Sequence, residues 1–176
     1  TGGRGGSVRI AVGSGTSGAG GHLSFGSGRS TVATGGLICM QSGEGTATSS
    51  GAVSISTSDG GTAGVSGNIG LTTGDTADGN TGTIAFTSGK STNGKGGSIT
   101  LSVGEGNTGI GGDVSVNAGN TIADAGTTGG KIMLQSGESA LTSSGAFALS
   151  TSNAGTSGVS GNVDINTGAS SSGAAG

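Results

Sequence analysis

The chain has 176 residues, of which 45 are glycine, none is proline and 2% are aromatic, and its formal net charge is -3. That composition excludes an ordinary globular core, and six Lys and Arg scattered singly exclude a basic patch able to neutralise phosphates, so nucleic acid is not expected as a partner. A single cysteine, Cys39, excludes an internal disulfide framework and a CxxC metal knuckle.

No apolar run approaches the roughly 20 residues needed to span a bilayer. The opening TGGRGG has neither an initiator Met nor a signal-peptide apolar segment, which sets the expectation of a soluble chain that is processed or is a piece of something longer. Abundant Gly, Ser and Thr with little charge would also suit a disordered linker. The repeats speak against that.

From the N-terminus, an alternating apolar stretch follows each of Gly6, Gly21, Gly36, Gly51, Gly67, Gly82, Gly97, Gly112, Gly130, Gly145 and Gly161, at spacings of 15, 15, 15, 16, 15, 15, 15, 18, 15 and 16 residues. Counting from each such glycine, position +2 holds Val8, Leu23, Ile38, Val53, Ile69, Ile84, Ile99, Val114, Ile132, Phe147 and Val163. Position +4 holds Ile10, Phe25, Met40, Ile55, Leu71, Phe86, Leu101, Val116, Leu134, Leu149 and Ile165. Both columns are apolar in all eleven copies, which a disordered linker has no reason to maintain. Alternation bounded by glycine predicts a strand, and the near-constant spacing predicts a solenoid. The expected fold is therefore all-β: a parallel β-solenoid (β-helix) of about 15 residues per coil and about eleven coils, running as one continuous segment over residues 1–176. Its core would be the two apolar columns.

A second glycine recurs at position +7, as Gly13, Gly28, Gly43, Gly74, Gly89, Gly104, Gly119, Gly137 and Gly168, with Ser58 and Ser152 in the other two copies. Glycine there predicts a backbone bend that a Cβ would hinder. The remaining half of each repeat, such as SGTSGAG or KSTNGKG, is small or polar and reads as a second, thinner wall. A longer period overlies this one. The repeats at Gly36, Gly51 and Gly67 match those at Gly130, Gly145 and Gly161 with a constant offset of 94, so six repeats form a block duplicated within the array. Neither end has a polar cap, and Gly176 is placed to begin a twelfth repeat, which predicts a segment of a longer protein or filament.

Charge gathers at position +8, where Glu44, Asp59 and Asp75 would stack in a parallel coil, with Asp78 near the same corner. Stacked carboxylates could hold a hard cation such as Ca²⁺. The plainer reading is a solvated corner with splayed side chains, favoured because the GGxGxDxUx nonapeptide of calcium β-rolls is absent. Apart from that ladder the sequence implies no cofactor. Outward threonines such as Thr72, Thr83, Thr87 and Thr100 raise an ice-binding surface, but His22, Leu37, Cys39, Lys131 and Met133 interrupt the columns. His22 has no partner at ligand spacing, and Cys39 could at most bridge two molecules. With no phosphate-binding glycine motif, no second histidine and no paired carboxylates, no enzyme is expected.

Stretches such as GGSVRIAVGSGTSGAGG and GGSITLSVGEGNTGIGG, which represent the whole chain, resemble the Gly/Ser/Thr-rich repeats of very large secreted or cell-surface β-solenoid proteins of marine microalgae, some of their viruses, and bacterial adhesins. The resemblance implies an extracellular location and a structural role in a filament or surface appendage, with other copies of the same repeat as partners. A binding module for ice or glycans is the competing expectation.

Overall fold

The computed structural model describes Gly3, residues 5–122 and residues 127–170; Gly176 lies outside them. The period read from the sequence reappears in the backbone. Among the described residues, bends fall at 16–18, 31–33, 46–48, 62–63, 77–79, 92–94, 107–110, 140–142 and 156–158, so nine of the repeats turn at about positions +10 to +12. Before the bend lies an arm of irregular backbone carrying the apolar alternation. After it, the chain returns to the end of its own arm.

That return closes at the next repeat glycine. Backbone N–H groups of Gly36, Gly51, Gly130 and Gly145 donate to the carbonyls of Gly28, Gly43, Gly119 and Gly137 at 2.9 Å, and Gly21 donates to Gly13 at 3.3 Å. Each closure joins position +7 of one repeat to the first glycine of the next. We call this junction the neck. All ten necks share a second contact: a Cβ built on the incoming glycine would face the side chain at +6 of the preceding arm. Those side chains are Val12, Ser27, Ser42, Thr57, Thr73, Ser88, Val103, Ala118, Ser136 and Thr151.

The residue at +6 tunes the closure. Small Ser27, Ser42, Ala118 and Ser136 accompany the 2.9 Å bonds. Where Thr57, Thr73, Val103 or Thr151 stands there, a γ-methyl lies beneath the glycine, with Cγ1 of Val103 2.8 Å from the site of a Gly112 Cβ, and the closing bond is not formed. Val12 is intermediate, with its methyl against Gly21 and the bond stretched to 3.3 Å. Ser88 does not follow this rule, since it is small and its neck to Gly97 has no such bond.

The sequence expectation of an all-β, parallel β-solenoid is overturned: no helix and no strand is present among the described residues. A β-helix needs the arms of successive repeats to lie side by side with their N–H and C=O groups paired in a ladder. Here the neck instead brings the start of each arm beside the end of the one before, and the pairing stops at that single junction. Two features of the sequence work against extending it. Glycine makes up 45 of 176 positions and each loses more conformational freedom on ordering than any other residue. The outward side chains are small, so cross-strand pairs contribute little.

The expected core is corrected with it. All twenty-two column residues are exposed, from Ile84 at 46% to Val8 at 92%, and no hydrophobic residue among the described ones is buried. The accessible surface is 17393 Å², whereas a compact monomer of 15.9 kDa exposes about 7,000 Å². The most sheltered described residues are small ones at the necks and loops: Ser42, Ala118 and Ser136 at +6, and Ser30, Gly45 and Ser139 at +9.

The chain divides into two units, Thr1–Thr87 and Ser88–Gly176. Necks of the same form occur in each.

Candidate functional surface

Position +9 organises the loops. It holds Gly15, Ser30, Gly45, Gly60, Thr76, Ser91, Gly106, Thr121, Ser139, Ala154 and Ser170, and nothing larger than threonine. A Cβ on Gly15 would run into the carbonyl oxygens of Gly18 and Ala19, one on Gly45 into those of Ser49 and Thr48, and one on Gly60 would lie 2.9 Å from the oxygen of Gly64. At Ser30 and Ser139, where serine replaces glycine, the hydroxyl serves the loop instead. Ser30 Oγ accepts from the N–H of Ala33 at 2.9 Å and of Val32 at 3.4 Å. Ser139 Oγ accepts from the N–H of Thr142 at 3.1 Å and bonds the Thr142 hydroxyl at 2.9 Å. These are the local side-chain-to-backbone bonds by which Ser and Thr fix tight turns.

Glycine at +7 has a different meaning from the one expected. A Cβ at Gly13, Gly28, Gly43, Gly74, Gly89, Gly104, Gly119, Gly137 or Gly168 would meet nothing within 4 Å. Steric hindrance is not what holds glycine in that column. The crowded positions are instead loop glycines such as Gly15, Gly45 and Gly60 and the repeat glycines Gly21, Gly36, Gly51, Gly67, Gly82, Gly112 and Gly130. Left-handed backbone is confined, among the described residues, to Gly79 (φ 137°) and Gly109 (φ 77°), both at +12 in the bend.

The apolar columns form the most extensive chemical feature. Within the first unit, Phe25, Ile38, Cys39 and Met40 of two successive repeats line an open hollow of about 320 Å³. Apolar residues on the loops, Val32, Val65, Ile110, Leu141 and Val159, stand 94% to 99% exposed, so the column residues are partly sheltered by comparison. The hollow has no charged or hydroxyl-bearing lining residue, and Cys39 is a free, exposed thiol. It offers contact area but no reacting group.

The carboxylates of Glu44, Asp59, Asp75 and Asp78 are exposed. Among the described residues no group of three or more His, Cys, Asp and Glu comes together, so the expected ladder does not assemble. His22 is exposed as well. No helix among the described residues is long and apolar enough to cross a membrane. Position +9 was visible in the sequence as restricted to Gly, Ala, Ser and Thr, and +6 as a mostly small column interrupted by Val12 and Val103. Their signal is weak beside that of the two aliphatic columns.

No family model, curated protein or solved structure matches the chain.

Proposed function

We propose that the chain is a structural module of an extracellular filament, appendage or cell-surface protein, and that its repeats associate with further copies of the same repeat. One observation carries this reading: the sequence keeps positions +2 and +4 apolar in all eleven repeats, yet every one of those side chains is exposed in the single chain. Contiguous exposed apolar surface in a water-soluble protein marks a surface that meets another molecule. A periodic surface is met most economically by another copy with the same period. The modest net charge of -3 opposes association only weakly. Nothing in the site chemistry competes with this reading, since the exposed hollow has contact area and no reactive constellation.

Sedimentation velocity over a wide concentration range, together with negative-stain electron microscopy, tests the proposal. The expected result is concentration-dependent assembly that weakens when Phe25, Ile38 and Met40 are changed to serine. A monomer at every concentration, indifferent to those substitutions, would refute it.

A further inference from the structure

Of the nine asparagines, Asn93 alone is followed by glycine. We infer that the Asn93–Gly94 bond is a site of spontaneous deamidation, a modification independent of any assembly role. The reaction needs the backbone nitrogen of the following residue to reach the side-chain amide carbon. Its usual obstacles are a bulky following side chain, a hydrogen-bonded amide and a rigid backbone. None applies here.

Gly94 has no Cβ, so the approach to its nitrogen is open on the side that a substituent would block. Residues 92–94 form the bend of their repeat, away from a neck, and Asn93 is exposed. Neither Asn93 nor Gly94 has a hydrogen-bond partner among the described residues. Other amides are held: Asn117 Nδ2 donates to Ser115 Oγ at 2.9 Å and Asn162 Nδ2 to Asp164 Oδ2 at 2.7 Å. The loop is also less fastened than the two serine loops at Ser30 and Ser139. Ser91 stands at +9 as Ser30 and Ser139 do, with its Oγ 3.1 Å from the site of a Gly94 Cβ, but it makes no bond like those that Ser30 and Ser139 make to loop N–H groups.

The chemistry balances with water as the only co-reactant. The Gly94 nitrogen loses its proton to solvent base and attacks Cγ of Asn93. A new C–N bond forms, the bond from Cγ to Nδ2 breaks, and ammonia leaves a succinimide ring. Water then opens the ring at either carbonyl, giving aspartate or isoaspartate at that position. Each event replaces a neutral amide by a carboxylate between Lys90 and Lys95, and the isoaspartate product adds a methylene to the backbone within the bend.

The test is to incubate the full chain in mildly alkaline buffer and follow it by intact mass and tryptic mapping. Cleavage after Lys90 and Lys95 releases Ser91–Lys95, in which deamidation adds one mass unit. Isoaspartyl methyltransferase labelling marks the rearranged product. Conversion at Asn93 is expected to run about tenfold or more ahead of every other asparagine, because no Cβ stands against the attack, and to accelerate as pH rises. Asn93→Gln should abolish the gain in that peptide while the rest of the map stays unchanged. Asp59–Gly60 and Asp78–Gly79 can form the same ring and its isoaspartyl product without a net change of mass, but both lie in the tryptic peptide Ser30–Lys90, so methyltransferase label mapped to Ser91–Lys95 reports on Asn93 alone. Conversion at Asn93 no faster than at Asn107 or Asn153 would overturn the inference, as would an undiminished mass gain in the Asn93→Gln chain.

Discussion

Two glycines seven residues apart, Gly36 and Gly43, respond differently to the same substitution if the necks hold the chain as described. A Cβ at Gly36 would lie 3.2 Å from the backbone nitrogen of Gly28, 3.2 Å from Ser27 Cβ and 3.4 Å from Ser27 Oγ. Backbone atoms cannot rotate away, so the neck must open by a few tenths of an ångström. Two bonds are at stake: Gly36 N–H to Gly28 O at 2.9 Å, and Ser27 Oγ–H to the Gly36 carbonyl at 2.7 Å. Both are exposed, which puts each in the lower half of the usual net range of about 0.5 to 1.5 kcal/mol. Gly36→Ala should therefore weaken this neck by about 1 to 2 kcal/mol, raising the exchange rate of the amide at position 36 by about 5- to 30-fold. Gly43→Ala meets nothing within 4 Å, and at a backbone angle open to any residue it is neutral or slightly stabilising through the unfolded chain. Amide hydrogen exchange by NMR on both variants makes the comparison. Equal effects from Gly36→Ala and Gly43→Ala, or a larger effect at Gly43, would refute the neck as the element that fastens each loop.

Three further outcomes are expected. Ser30→Ala removes the acceptor that Ala33 N–H uses at 2.9 Å and should speed exchange of that amide severalfold while leaving the Gly51 neck unaffected, a contrast visible in the same spectra. Gly109→Ala meets no atom within 4 Å but must adopt φ 77°, so its cost is purely conformational, about 1 kcal/mol; Gly106→Ala, with only the Thr108 oxygen at 4.0 Å and no positive φ, should cost less. Calcium titrated into the chain should give no saturable heat by calorimetry, and Glu44→Gln, Asp59→Asn and Asp75→Asn should leave the titration unchanged, because those carboxylates do not converge among the described residues.

The sequence made the period of the described bends legible, but not the irregular backbone of the arms, which the alternation had read as strands. The bends among the described residues recur with the repeat, but at about +10 to +12 in its small, polar half and not at the +7 glycines where the sequence placed them. What covers the arms was not legible. Alternation at +2 and +4 states that one face of an arm is apolar, and the same pattern serves a coil that covers its own face and a chain that leaves the face open. The choice turned on +6 and +9, where Ser27 closes a neck that Val12 stretches and Ser30 supplies a bond that Gly45 cannot. Those columns lack the hydropathy contrast that draws attention to Ile38 and Met40. The carboxylates of Glu44, Asp59 and Asp75 form no cluster among the described residues.

The neck that joins Gly130 to Gly119 encloses three more residues than the neck that joins Gly145 to Gly137, and both close at 2.9 Å. Lengthening a flexible loop from eight to eleven residues costs only about 0.3 kcal/mol of closure entropy. Each neck therefore restarts the count. An insertion or deletion within one loop is absorbed before the next arm begins, and the apolar positions downstream keep their phase. Such a chain can grow, shrink or duplicate blocks, as its 94-residue repetition records, with errors of length confined to the loop in which they arise.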